Sequence, residues 1–394
     1  AEGQVLGLIQ KNADTESNES YAIGAGYGVA LNISALSMND GALNRIGIRK
    51  ALPDTEEQAL VFLLMASEQV DKPAYLALLN EFIQQYPQSY EGYIRRASYY
   101  MSSDDASQYA NADDDLKKAT EVTQAKEEAY YQSAKAVYAY MVSLNGKEPY
   151  SKWNYEKALE LVRKAIEINP QPMYSQLEGD ILFAQGKYAD AFVSYEKVNQ
   201  SPMADASTFY SAAKAKQMTE GSDINEVLAI MDKAIEKLKK PYFSEAAPYF
   251  YERAELRTQA GKFKEAVMDY NVFHEAVGGD VNALFYFQRE QAEMQCRMYQ
   301  QALNDINKAV ELAPEDADFW VEKGSVHLRF NQLDEAVTAF NKAISLNNQY
   351  AAAYRLLGYS QAMQKKTKDA CANFEKAKQL GDTLVDTLIE KYCK

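Results

Sequence analysis

Nucleophilic catalysis needs a base beside a nucleophile, and only His274 and His327 are available as histidine bases in this chain. Each reads as a packed or solvated helix residue. The three cysteines, Cys296, Cys371 and Cys393, include no Cys-x-x-Cys pair, which with two histidines argues against a zinc site. The acid run Asp113-Asp114-Asp115, with Asp104-Asp105 before it, lacks the alternating ligands, central glycine and terminal glutamate of a calcium loop, and reads as a solvated insertion between helices. Gly24, Gly26 and Gly28 are spaced by two, without the later glycine, preceding strand and following helix that cradle a dinucleotide. Paired carboxylates decide nothing among 56 acids. These residues define no catalytic, metal or cofactor site, and the expectation is a non-enzyme.

Recognition is the chemistry the composition does favour. The chain carries 29 Tyr and 15 Phe against 2 Trp. Tyrosine buries a large area at little rotamer cost and keeps a polar tip, which suits a binding surface. A net charge of −14 repels phosphate backbones and anionic lipid, so nucleic acid is not an expected partner. The longest apolar run, 59–66, falls far short of the roughly 20 residues that span a bilayer. With 47% hydrophobic residues, 25% charged, and only 10 Pro and 18 Gly, the economical fold is all-α.

The elements that must carry these side chains repeat. Ala302, Ala336 and Ala370 are 34 residues apart, as are Ala309, Ala343 and Ala377, and Gly324 and Gly358. A fixed interval of this length means stacked units. Within one period, Trp320, Gly324 and Leu328 mark one face of a first helix, while Leu333, Ala336, Phe340 and Ala343 mark one face of a second, with Asn331-Gln332 as the turn. Gly324 and Ala336 are read as small because the two helices cross closely there.

These residues resemble the tetratricopeptide repeat family. The clearest copies are 283–316, 317–350 and 351–382, and Gly179, Tyr188, Ala191 and Tyr195 fit as well, as do Ala254, Phe263, Ala266 and Tyr270. The resemblance implies a right-handed α-solenoid of about nine helix pairs over residues 53–382, closed by a capping helix over 383–394. It also implies that first helices line an inner concave surface that takes a protein or peptide partner. On that surface the expected binding residues are Tyr131, Lys135, Tyr138, Tyr210, Lys214, Tyr251, Glu255, Phe287, Gln288, Gln291 and Arg355. Extra packing between adjacent first helices is the alternative for each ring. Members of the family that clamp a terminal carboxylate use Lys and Asn at fixed first-helix positions. Val321 with Ser325, and Arg355 with Tyr359, stand there instead, so chaperone-tail binding is not expected.

Residues 1–52 lie outside the repeat, with a polar stretch over 12–20 for which mobility is the expectation. Ser20 to Gly24, with Gly28, Leu31, Leu43 and Gly47, is similar to the helical N-terminal dimerisation segment of prolyl isomerases of the macrophage infectivity potentiator type. No isomerase domain follows it. What the similarity implies is a helical segment for self-association, and a homodimer is the alternative to the scaffold reading. Pro53-Asp54 with Glu56-Glu57 reads as the first helix start, capped by Asp54. At the other end, a bridge between Cys371 and Cys393 would close a 22-residue separation and contribute about 3 kcal/mol in an oxidising compartment. Two buried thiols in a reducing cytosol are the other reading. Ala1 opens the chain without methionine, pointing to a removed leader or an expression boundary. Together these favour an exported bacterial protein, periplasmic or at the cell surface, over a cytoplasmic one.

Overall fold

The computed structural model describes residues 7–11, 20–24, 52–103 and 105–393. Two units divide the chain, 1–187 and 188–394. In the first, strands β1 (Gly7–Lys11) and β2 (Ser20–Gly24) pair antiparallel, Gly7 opposite Gly24 and Lys11 opposite Ser20. Ser20 to Gly24 is therefore a strand and not part of a helix. Its alternation of Tyr21 and Ile23 has period two, the spacing that strand side chains take. The remaining expectations for residues 1–52 lie almost wholly outside the described residues.

Seven helices follow in this unit. They are α1 (Glu56–Gln69), α2 (Lys72–Gln85), α3 (Tyr90–Met101), α4 (Tyr109–Val122), α5 (Lys126–Ser143), α6 (Tyr155–Ile168) and α7 (Pro172–Ala184). The second unit holds α8 (Tyr188–Asn199), α9 (Ala206–Met218), α10 (Ile224–Glu236), α11 (Ala247–Gln259), α12 (Phe263–Ala276), α13 (Ala283–Gln295), α14 (Tyr299–Leu312), α15 (Ala317–Arg329), α16 (Leu333–Leu346), α17 (Ala351–Met363), α18 (Thr367–Gln379) and the short α19 (Asp386–Tyr392). Within the first unit α1 to α6 form three pairs, and within the second α9 to α18 form five, odd-numbered helices being first and even-numbered second.

Local chemistry sets the helix ends. Asp71, Asn154, Asp205, Asp223, Asn282 and Asp316 accept hydrogen bonds from exposed amides at the starts of α2, α6, α9, α10, α13 and α15. Asp54 does not cap α1, because the helix begins two residues on and Thr55 holds the cap position. Turns inside pairs require a left-handed residue, supplied by Gly261 (φ 71°), Arg297 (φ 60°), Asn331 (φ 56°) and Lys365 (φ 63°).

No single core serves the array; apolar clusters recur instead. Val321, Ala336, Phe340, Ala343, Ala353 and Leu357 form one, joining α15, α16 and α17. A Cβ built on Gly324 would lie 2.5 Å from Phe340 Cε1, and one on Gly358 would lie 2.7 Å from Phe374 Cδ1. The small residue thus makes room for an aromatic ring from the second helix. At Gly358 it also admits the Ala370 carbonyl, 3.0 Å from that position. Beyond α18, Asp382 caps a short turn leading into α19, which packs Leu388, Ile389 and Tyr392 against Phe374 and Val385. Cys371 and Cys393 form a disulfide there, with Cα atoms 5.7 Å apart.

Candidate interaction surface

First helices meet their neighbours through the expected ladder residues, and most of those contacts are internal. Tyr131 on α5 is only 8% exposed and packs on Tyr174 of α7, ring centroids 4.7 Å apart. It belongs to the core and not to an open surface. The physical reason is helical phase: successive residues are 100° apart, so one step from a packing position can still face the next first helix. Tyr210 meets Tyr249 at 5.2 Å, and Phe287 meets Phe319 at 5.1 Å. Burial, with the nearby Glu252 carboxylate, pushes the Tyr210 hydroxyl up to about 12. Tyr138 is half-buried, 6.3 Å from Tyr155.

The polar candidates interlock as well. Lys214 Nζ lies 3.0 Å from Glu252 Oε2. The Tyr251 hydroxyl donates to Gln288 Oε1, and Gln288 Nε2 donates to Glu255 Oε1 at 2.9 Å. Burial, then the charge of Glu252, raises the Glu255 carboxyl. Arg355 Nε donates to Asp382 Oδ2 at 2.7 Å, which ties α17 to the segment after α18. Of the expected residues, Lys135 and Gln291 remain exposed.

Three arginines that sequence reasoning missed stitch neighbouring pairs together. Arg253 Nε and Nη2 donate to both oxygens of Asp269 at 2.8 and 2.7 Å, while Nη1 donates to Asp232 at 2.7 Å from the preceding second helix. Arg289 repeats this with Asp305 (2.6 and 2.9 Å) and Asn271 (3.0 Å), and Arg96 with Asp115 (2.8 and 2.7 Å) and Asn80 (2.7 Å). Bidentate pairing of this kind fixes geometry as well as charge. The acid run is accordingly not a solvated insertion. It lies inside α4, with Asp115 buried against Arg96 and Asp113 receiving Lys152 at 2.8 Å and the Trp153 indole at 3.3 Å.

The histidines are committed elsewhere. His274 stacks on Phe285 with centroids 5.6 Å apart, and burial lowers its imidazole. His327 Nδ1 lies 2.7 Å from Gln332 Oε1. Among the described residues, no group of three metal-ligating side chains occurs, and no helix is long and apolar enough to cross a membrane.

What stays open is a set of cavities along first helices. In the first unit, a cavity of about 490 Å³ is lined by Tyr75, Glu91, Arg95, Ser98, Tyr99 and Gln132, among others. In the second, one of about 470 Å³ lies against α11, α13 and α15, lined by Thr258, Gln291, Met294, Ser325 and Arg329 together with two acids, Glu290 and Glu322. Glu290 is fully buried, and neither of its carboxylate oxygens has a hydrogen-bond partner. Burial first, and then the charges of Glu322, Glu293 and Asp305, push this carboxyl up to about 9.

Paired helices with recurrent small-for-aromatic packing, arginine stitches between pairs and open first-helix faces define a helical-repeat protein. Residues 292–351 and 327–383 match the tetratricopeptide repeat family model. The small glutamine-rich tetratricopeptide repeat-containing protein 2 of Saccharomyces cerevisiae is 25% identical over 95 residues, 24% of this chain and 28% of that protein. The chain thus spans little more than a quarter of the curated relative it matches. Two solved structures are similar in fold. One is a tetratricopeptide repeat protein from Parabacteroides merdae, at 16% identity over 67% of this chain and 99% of that one, with a TM-score of 0.40. The other is the C-terminal part of a repeat-containing protein from Cytophaga hutchinsonii, at 15% identity over 58% and 92%, with a TM-score of 0.45. Over residues 292–383 the chain carries tetratricopeptide repeats.

Proposed function

We propose that the chain is a non-catalytic scaffold that holds a protein or peptide partner against its first-helix face, in the groove formed by α11, α13 and α15. The observation that carries this reading is the cavity of about 470 Å³ shared by three successive first helices, where apolar Met294 sits beside polar Gln291 and Ser325. A few convergent polar groups in a concave surface are what an orienting site requires. Ser325→Trp fills the cavity from α15, while Lys342→Trp adds the same ring to α16. Affinity capture from the native host, read by mass spectrometry, should retain a partner with the wild type and Lys342→Trp, and lose it with Ser325→Trp. Equal capture by all three overturns the groove reading.

The same reading puts the protein in an oxidising, exported compartment, supported by the proximity of Cys371 and Cys393. Alkylation and mass spectrometry of protein from native cells tests it. Free thiols at both positions argue for the cytoplasm.

A further inference from the structure

The repeat's own size rule singles out one residue. Gly324 and Gly358 stand 34 residues apart in the slot that faces Phe340 and Phe374, each sixteen residues further on. One period earlier, that slot holds Glu290, and the aromatic partner position holds Ile306. A position that holds a hydrogen atom at Gly324 and Gly358, and a methyl group at Ala254 opposite Tyr270, here carries a carboxylate, and the ring that would exclude it has become an aliphatic side chain. Burying such a group without a partner costs several kcal/mol if it is charged, and the structure supplies no hydrogen bond to offset it.

The carboxylate lines the cavity between α11, α13 and α15. Glu322, from the next first helix, lines the same cavity and is itself half-buried, which raises its carboxyl. The charged groups acting on Glu290 are Glu293 on its own helix, Asp305 on α14 and Glu322 on α15. Arg289 is held by Asp305. Arg329 lines the cavity but is exposed, and among the described residues it forms no ion pair with Glu290 or Glu322. Thr258 and Phe263, from α11 and α12, are neutral. The cavity is therefore lined by two carboxyl groups, Glu290 fully buried and Glu322 half-buried, with no cation paired to either among the described residues.

We propose that this cavity receives the cationic end of a lysine or arginine side chain on the partner, with Glu290 and Glu322 as counter-charges and Met294 against the alkyl stem. The proposal rests on the scaffold reading and names the chemistry its groove selects. A buried carboxylate pair that a guest cation can bridge repays desolvation only when the cation arrives, which makes the site selective for basic residues over neutral ones.

The probes are n-butylammonium and n-butylguanidinium chloride, titrated into full-length protein carrying ¹³C-methyl methionine, at constant ionic strength. The Met294 methyl should shift saturably with at least one of the two, and n-butanol should leave it unmoved. Glu290→Gln, an isostere of the protonated acid that keeps the cavity's shape, and Glu322→Gln should each weaken binding at least tenfold while far-UV circular dichroism stays unchanged. No saturable shift with either cation overturns the proposal. So does an equal response to butanol, saturation by calcium chloride alone, or wild-type affinity in Glu290→Gln. The probes do not depend on any partner. Capture lost with Ser325→Trp but kept with both glutamine variants would leave the scaffold reading intact and remove this one.

Discussion

Gly324→Ala adds a single methyl group at the position where α15 receives the Phe340 ring. An ideal Cβ there meets Phe340 Cε1, Cζ and Cδ1 at 2.5, 2.7 and 2.8 Å. Carbon pairs are at their best separation near 3.5–4.0 Å, so all three contacts are deeply repulsive. The ring has nowhere to retreat: Phe340 is fully buried, in a cluster with Ala336, Ala343 and Leu357. Overpacking of this kind costs about 3 kcal/mol, at the top of its ordinary range. Alanine is the better helix former in mid-helix, which returns about 1 kcal/mol. The net expectation is a loss of about 2 kcal/mol, set by the difference between the two terms. Urea unfolding followed by far-UV circular dichroism, with hydrogen exchange over α15 and α16 to localise the effect, measures it. Phe340→Leu removes Cε1 and Cζ, two of the three colliding atoms, so in that background Gly324→Ala should lose most of its cost and the coupling should exceed about 1 kcal/mol. A neutral or stabilising single substitution, or the same loss in both backgrounds, refutes the size argument for the whole array.

Further outcomes follow from the stitches, the turns and the buried acids. Arg289→Met leaves the Asp305 carboxylate buried without a counter-charge and should cost about 3 kcal/mol, most of it recovered by adding Asp305→Leu; urea midpoints of the single and double variants check this. Arg297 holds a left-handed conformation that favours glycine, so Arg297→Gly should stabilise by about 0.5 kcal/mol in the same assay. Burial raises the Glu290 carboxyl to about 9 from an ordinary value near 4.5. Its neutral form is thus favoured by folding: that stability is fully present below about pH 4.5 and is lost as pH rises toward about 9. Glu290→Gln should therefore match the wild type at pH 4.5 and exceed it at pH 8, and equal stability at both would mean that the carboxyl is not held neutral.

The fold was legible because its determinants are local and periodic. A 34-residue recurrence of small residues and aromatics at a sixteen-residue offset is a size code, and size can be read without knowing what surrounds a position. The surface was less legible, since Tyr131 and Phe287 are distinguished from groove residues only by the rotation between one first helix and the next. The arginine stitches were missed for a different reason. Arg253 with Asp269 and Arg289 with Asp305 share the sixteen-residue offset, but one period after Arg289 the two places hold Lys323 and the buried Ala339, so the pattern does not persist through the array. A repeat scheme draws attention to what recurs and away from the positions where recurrence fails. Glu290 is the clearest instance: the same alignment that makes Gly324 and Gly358 intelligible makes a carboxylate in their slot unintelligible as packing. Its burial without a hydrogen bond is a cost that the array avoids one period later by using glycine.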